Sequence, residues 1–294
     1  MFAPGSLSER IAVWLLIFLP VASAAGILLW RVTWKNARRR YPLQDCILRP
    51  TGESTRQKLE AESERFANTV LYMTLLPALL YATALAGGFS PWLPSVVSCV
   101  GALVGSAALW RCHDRLSSYG LGYAGERAVA DHLQPLERAG YRVFHDVPYA
   151  GFNIDHVVVG PSGLFAIETK TRRMASGAPE TRRRTVEFDG HLIHYPGSSD
   201  RYGLDQALRN RDALRSLVNE KLGVELPVSG ILALPGWFVV EKGIAEVRVM
   251  SPQMIAPHIT TAKPPPALTR ELLARVIVLM ENLCAMNLEP PKAD

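Results

Sequence analysis

The chain has 294 residues, 48% of them hydrophobic and only 20% charged, against roughly 25% charged residues in a soluble domain. That balance argues against an ordinary single-core soluble enzyme and excludes disordered, collagen-like and disulfide-rich classes. The formal charge of +5 lies mainly at the front: residues 1–110 carry ten Lys or Arg against six Asp or Glu, the rest 22 against 21.

Ile11 to Trp30 is twenty uncharged residues between Arg10 and Arg31, long enough to cross a bilayer core of about 30 Å. A cleaved signal peptide competes for this stretch, because Val21-Ala22-Ser23-Ala24-Ala25 resembles a cleavage site. A second uncharged run, Ala67 to Trp110, is too long for one span and breaks at Gly87-Gly88-Phe89-Ser90-Pro91-Trp92-Leu93-Pro94. The reading is a helical hairpin over 68–87 and 93–110, making three spans within a membrane region 1–110. Residues 31–65 hold nine Lys or Arg, among them Arg38-Arg39-Arg40, and 87–92 hold none. Positive-inside bias therefore keeps loop 31–65 in the cytoplasm, puts the N-terminus outside, and leaves everything after Arg111 inside a cell's inner membrane. Membrane lipid is then a partner, and the Arg run suits anionic headgroups.

From Ser118 the pattern becomes that of a mixed α/β domain. A helix is expected from Gly122 towards Gly140, followed by strands at 141–147, 153–159 and 164–170, the last two joined by Pro161-Ser162-Gly163. So short a turn makes them antiparallel neighbours. Strands at 185–188 and 191–195, a helix at 203–222, strands at 228–234, 238–240 and 246–250, and a final helix at 268–286 complete the expectation. The four cysteines, Cys46, Cys99, Cys112 and Cys284, stand in no metal-binding spacing and read as buried or free thiols.

The chemistry concentrates on the two turn-linked strands. They carry Asp155 and Glu168, and Lys170, two residues beyond Glu168, leaves the same face of its strand. Such charges at the edge of an apolar sheet are costly unless something pairs them. One reading is a structural ion pair; the other is a divalent cation, with Mg²⁺ suited to hard oxygen ligands and Lys170 placed to orient water or steady phosphoryl oxygens.

The run Asn153-Ile154-Asp155-His156-Val157-Val158-Val159-Gly160-Pro161-Ser162-Gly163-Leu164-Phe165-Ala166-Ile167-Glu168-Thr169-Lys170 resembles the core of the nuclease-related domain (NERD) family of the PD-(D/E)xK nuclease superfamily. Gly122-x-x-Gly125-Glu126 upstream and Asp205-Gln206-Ala207-Leu208 downstream are similar to the family pattern as well. The resemblance covers residues 118–240 and leaves 241–294 as a strand-and-helix extension. It implies an α/β restriction-endonuclease-like fold, a mixed sheet flanked by helices, and cleavage of DNA, or also RNA, with Mg²⁺ or Mn²⁺. Asp155 and Glu168 match the metal ligands, with the Thr169 carbonyl as a third and Glu126 as a helix carboxylate that helps hold metal. Lys170 matches the catalytic lysine, and Gln206 a polar residue facing the site. Asn153-Ile154-Asp155 stands where the wider superfamily has Pro-Asp, and the segment after Lys170 is longer and more basic than in many relatives.

That basic segment supplies the candidates for substrate phosphate: Arg172, Arg173, Arg182, Arg183 and Arg184, whose guanidinium forks match phosphate oxygens. His156 points away from Asp155 and reads as a core histidine. No Walker-type loop and no βαβ dinucleotide context is present. The function expected is a membrane-anchored, metal-dependent nuclease. The alternative is a non-catalytic module that keeps the fold to bind nucleic acid or protein. A channel has little support, since the spans contain no charge.

Overall fold

A computed structural model of the chain describes residues 47–88, 90, 92–174 and 184–286. The expected span 11–30, most of the basic loop, and Arg182 and Arg183 lie outside the described residues. The chain divides into two compact units, one comprising residues 1–44, 60–117 and 288–294, the other residues 45–59 and 118–287.

In the first unit two helices carry the apolar runs. Helix α1 is Glu53–Gly87 and α2 is Trp92–Arg138. Each contains a stretch of mean hydropathy 1.7, long and apolar enough to cross a membrane. Only 17% and 6% of those stretches are buried, and Leu85, Leu103 and Trp110 are more than 70% exposed. Apolar surface on that scale is unusual for a soluble monomer. Both helices outrun the expected spans. The segment 53–67 is rich in helix formers, and no proline interrupts α2 between Trp110 and Pro135. Glu62 of α1 accepts from Arg65 one turn on and from Arg115 of α2 at 2.8 and 3.2 Å.

The second unit is built on a five-stranded mixed sheet. Its strands are β2 (Arg142–Tyr149), β3 (Phe152–Gly160), β4 (Gly163–Thr169), β8 (Val228–Ala233) and β10 (Val247–Met250), in the order β10-β8-β4-β3-β2. β2, β3 and β4 form an antiparallel meander, while β8 runs parallel to β4 and β10 parallel to β8. Helix α3, Tyr202–Leu222, is the crossover that a parallel β4–β8 pairing requires. It and α5 (Arg270–Cys284) cover one face, where Leu214, Val218, Val276 and Met280 pack on Val157, Val159, Leu164 and Ala166. The C-terminal part of α2 and the short α4 (Ile255–Thr261) cover the other, with Val129, Leu133, Leu136 and Ile259 on Val158, Phe165 and Ile167. Each such fully buried side chain contributes about 1.5–3 kcal/mol. A smaller sheet, β7-β6-β5-β9, is formed by Ser198–Asp200, Ile193–Tyr195, Thr185–Phe188 and Phe238–Glu241, and closes a third core over Leu204 and Trp237.

Two features shape the neighbourhood of the site. The β2–β3 hairpin turns on Ala150-Gly151, both at positive φ (33° and 89°), the conformation of a type I′ turn. Glycine meets that demand freely at the second position. The segment before α1 is pinned by β1 (Ile47–Leu48), which pairs antiparallel with β11 (Ala285–Met286). From there Arg49 reaches Asp146, itself at φ 50° and only 2% exposed. Arg49 Nε and Nη2 donate to Asp146 Oδ2 at 3.0 and 2.5 Å; Ser54 and Asn153 add further donors. Replacing Arg49 by Ala leaves a buried carboxylate short of its cation. We expect the Tm of the full chain in detergent to fall by the equivalent of about 2–3 kcal/mol. In a double-mutant cycle Asp146→Asn should cost less in that background than in the wild type.

Candidate nuclease site

β3 and β4 pair from Gly160↔Gly163 to His156↔Ile167 around the Pro161-Ser162 reversal. One more step of that register sets Asp155 opposite Glu168, and residues opposite each other in an antiparallel pair project from the same face. Asp155 Oδ2 accepts from the Thr169 N–H at 2.7 Å, which holds the carboxylate against the end of β4. Glu168 is 6% exposed and accepts from Asn210 Nδ2 at 2.6 Å. Lys170 donates from Nζ to Gln206 Oε1 at 2.9 Å and lies 4.2 Å from the centre of the Tyr202 ring. Gln206 and Asn210 sit one turn apart on α3, so a single helix face serves both Lys170 and Glu168.

Glu126 enters from α2. Gly125 permits that approach: a Cβ there would stand 1.9 Å from Thr171 Cγ2 and 3.3 Å from Pro235 Cγ. Glu126 Oε1 accepts from Thr55 Oγ1 at 2.8 Å, a partner supplied by the first turn of α1. Glu126 does not close a cage with the other two carboxylates. Among the described residues no group of three His, Cys, Asp or Glu side chains is gathered to hold a metal.

The electrostatics are those of crowded, dehydrated acids. Burial raises Asp155 well above the usual carboxylate range, with repulsion from Glu168 and Glu126 adding to it. Burial lifts Glu168 to about 7, against the pull of Lys170, Asn210 and Arg209. Glu126 is raised by burial and by Asp146, while Thr55 and Lys58 oppose the shift. Buried carboxylates that repel one another and sit beside a partnerless acceptor, Asn210 Oδ1, fit a divalent cation: one doubly positive ion offsets both like charges.

The site opens to a recess of about 680 Å³ lined by Asp155, Glu168, Gln206, Arg209, Lys58 and the hairpin tip Tyr149–Phe152. Of the arginines expected on the basic insertion, Arg172, Arg173 and Arg184 are among the described residues. Arg172 donates to Ser198 Oγ at 2.8 Å, approaches Asp200 at 3.4 Å, and stacks 4.4 Å from the Tyr195 ring centre, so the small sheet holds its guanidinium. Arg173 and Arg184 are described but do not line the recess. The cations that do, Lys58 and Arg209, were not expected from the sequence, nor were Asn210, Thr55 and Asp146. For Asn210 a signal existed, a polar residue four positions after Gln206. For Lys58 and Thr55 none did, because they meet the site across some seventy residues of chain. His156 is fully buried, with Nδ1 2.8 Å from Nδ1 of His145.

The mixed sheet thus presents Asp155, Glu168 and Lys170 beside the Gln206 amide of α3. Residues 121–235 match the model of the family described as nuclease-related domain, NERD. That segment is similar to nuclease-related domains, a match consistent with the PD-(D/E)xK nuclease superfamily. No curated protein matches the chain, and no solved structure does.

The raised acids give stability a definite pH dependence. Glu168, near 7 when folded and 4.5 in its ordinary range, favours the fold most below pH 4.5, and that contribution is lost as pH rises through 7. His145, held down to about 4 by burial, acts oppositely: its contribution is full above 6.5 and lost as pH falls towards 4. Thermal melts of the metal-free chain should therefore peak at mildly acidic pH. At pH 8, Glu168→Gln should be more stable than wild type, by up to about 3 kcal/mol.

Proposed function

We propose that the chain is a membrane-anchored, metal-dependent phosphodiesterase acting on nucleic acid, with its site in the cytoplasm. The reading rests on the close approach of Asp155 and Glu168, one step beyond the β3–β4 register, with Lys170 two residues after Glu168. Asp155 and Glu168, with the Thr169 carbonyl, would hold Mg²⁺ or Mn²⁺, and Glu126 would support the site from α2. The ion would lower the pKa of a bound water and offset charge on the phosphate. Asp155 is oriented by the Thr169 N–H, and Glu168 by Asn210. Gln206 holds the Lys170 ammonium over the site, from which it steadies phosphoryl oxygens and orients the attacking water. Burial of these groups strengthens each of those interactions.

Sidedness follows from charge. The turn 88–92 between the two apolar stretches contains no Lys or Arg, whereas Arg56, Lys58, Arg65, Arg111 and Arg115 flank their other ends. Both ends of the hairpin are thus assigned to the cytoplasm, and the flanking cations suit anionic lipid.

A second reading, a module that keeps the fold and binds nucleic acid or protein without cleaving, draws on one observation: no three acidic or histidine side chains form a metal cage among the described residues. Cleavage separates the two. Full chain in detergent or nanodiscs, given labelled DNA and RNA oligonucleotides, should cut with Mg²⁺ or Mn²⁺ and stop with EDTA. Glu168→Ala and Lys170→Ala should each lower kcat by about a hundredfold or more. Undiminished cleavage by Glu168→Ala would remove the proposed mechanism, and no cleavage under any metal would favour the binding module.

A further inference from the structure

The recess over the carboxylates has a composition that the hydrolytic reading does not use. One wall is the tip of the β2–β3 hairpin, where Tyr149 and Phe152 face each other across the Ala150-Gly151 turn. Their ring centres are 5.6 Å apart at 71°. From α3, Arg209 lays its guanidinium 4.5 Å from the centre of the Phe152 ring. The start of α1, with Lys58, lines the recess as well. The recess therefore brings together aromatic rings, a guanidinium over one of them and a second cation with Asp155 and Glu168.

That arrangement suits an unpaired strand better than a duplex. Its phosphates run along the outside of a stiff cylinder and its bases are stacked inside. Glu168, 6% exposed, lies at the bottom of a recess of about 680 Å³, a volume typical of pockets that take up small molecules. For a phosphodiester to reach that floor, the strand must leave the stack, and its base then needs a surface to replace its lost neighbours. Arginine planes and aromatic rings supply such surfaces to unpaired bases.

We propose that the recess is a subsite for an unpaired nucleotide, making the substrate single-stranded nucleic acid or an unpaired end. The Phe152–Arg209 stack receives the base, and Lys58 and Arg209 receive the phosphates flanking the carboxylates. This deepens the phosphodiesterase reading and rests on it for the identity of the bound backbone.

Binding in EDTA keeps the test independent of cleavage. The full chain in detergent micelles is titrated, by fluorescence anisotropy, with a labelled twelve-nucleotide single strand of DNA, the same sequence in RNA, its blunt duplex, and an abasic strand of equal length. Single strands are expected to bind about tenfold tighter than the duplex. Phe152→Leu, which keeps the apolar volume, should weaken the base-bearing strands about tenfold and leave the abasic strand unchanged. Arg209→Lys, which keeps the charge but not the plane, should do the same. Duplex binding equal to single-strand binding by the wild type overturns the inference, whatever the variants do. So does parallel weakening of abasic and base-bearing strands by variants that melt at the wild-type temperature. Selective single-strand binding without cleavage would leave the subsite standing and remove the enzyme; cleavage with equal duplex binding would do the reverse.

Discussion

Two carboxylates brought face to face where water is scarce are a liability that a sheet normally avoids. Asp155 and Glu168 are placed so by the register of β3 on β4, and the surrounding structure answers that placement. The Thr169 N–H is turned to Asp155, Asn210 is spent on Glu168, and Gln206 fixes the Lys170 ammonium. None of these donors carries enough positive charge to cancel the pair, so both acids stay raised. A site that keeps this repulsion sacrifices stability in the metal-free protein, the usual mark of function.

The frame that bears the pair is assembled from distant parts of the chain. α3 crosses over between parallel strands and so delivers Gln206, Arg209 and Asn210 to the carboxylate face. Segment 45–59 belongs to the same compact unit as residues 118–287. It supplies Arg49 and Ser54 to Asp146, and Thr55 to Glu126. The C-terminal stretch contributes a sheet strand, β10, and the covering helix α5. The unit that frames the candidate site is thus broader than the segment 121–235 matched by the nuclease-related model.

Local strand geometry was legible in the sequence. The alternation around Pro161-Ser162-Gly163 gave the β3–β4 hairpin, and with it the convergence of Asp155, Glu168 and Lys170, because a tight turn leaves the register little choice. The apolar runs marked the lower reaches of α1 and α2, although not that both helices continue beyond them. What stayed hidden were partners set by long-range packing. Among the described residues Lys58 and Arg209 line the recess beside the acids, while Arg172 is held by Tyr195, Ser198 and Asp200. Asp200 and Ser198 lie on β7, a three-residue strand with no apolar pattern to announce it. The β1–β11 pairing joins residues nearly 240 positions apart, beyond reach of any periodicity.

The central claim is that the Asp155–Glu168 pair is a cation site, and Mn²⁺ binding to the full chain, followed by electron paramagnetic resonance, tests it most directly. One tightly held ion per chain is expected at neutral pH, with its affinity cut about tenfold or more in Asp155→Asn and in Glu168→Gln. Wild-type affinity in both variants, or no bound Mn²⁺ at millimolar concentration, would contradict it.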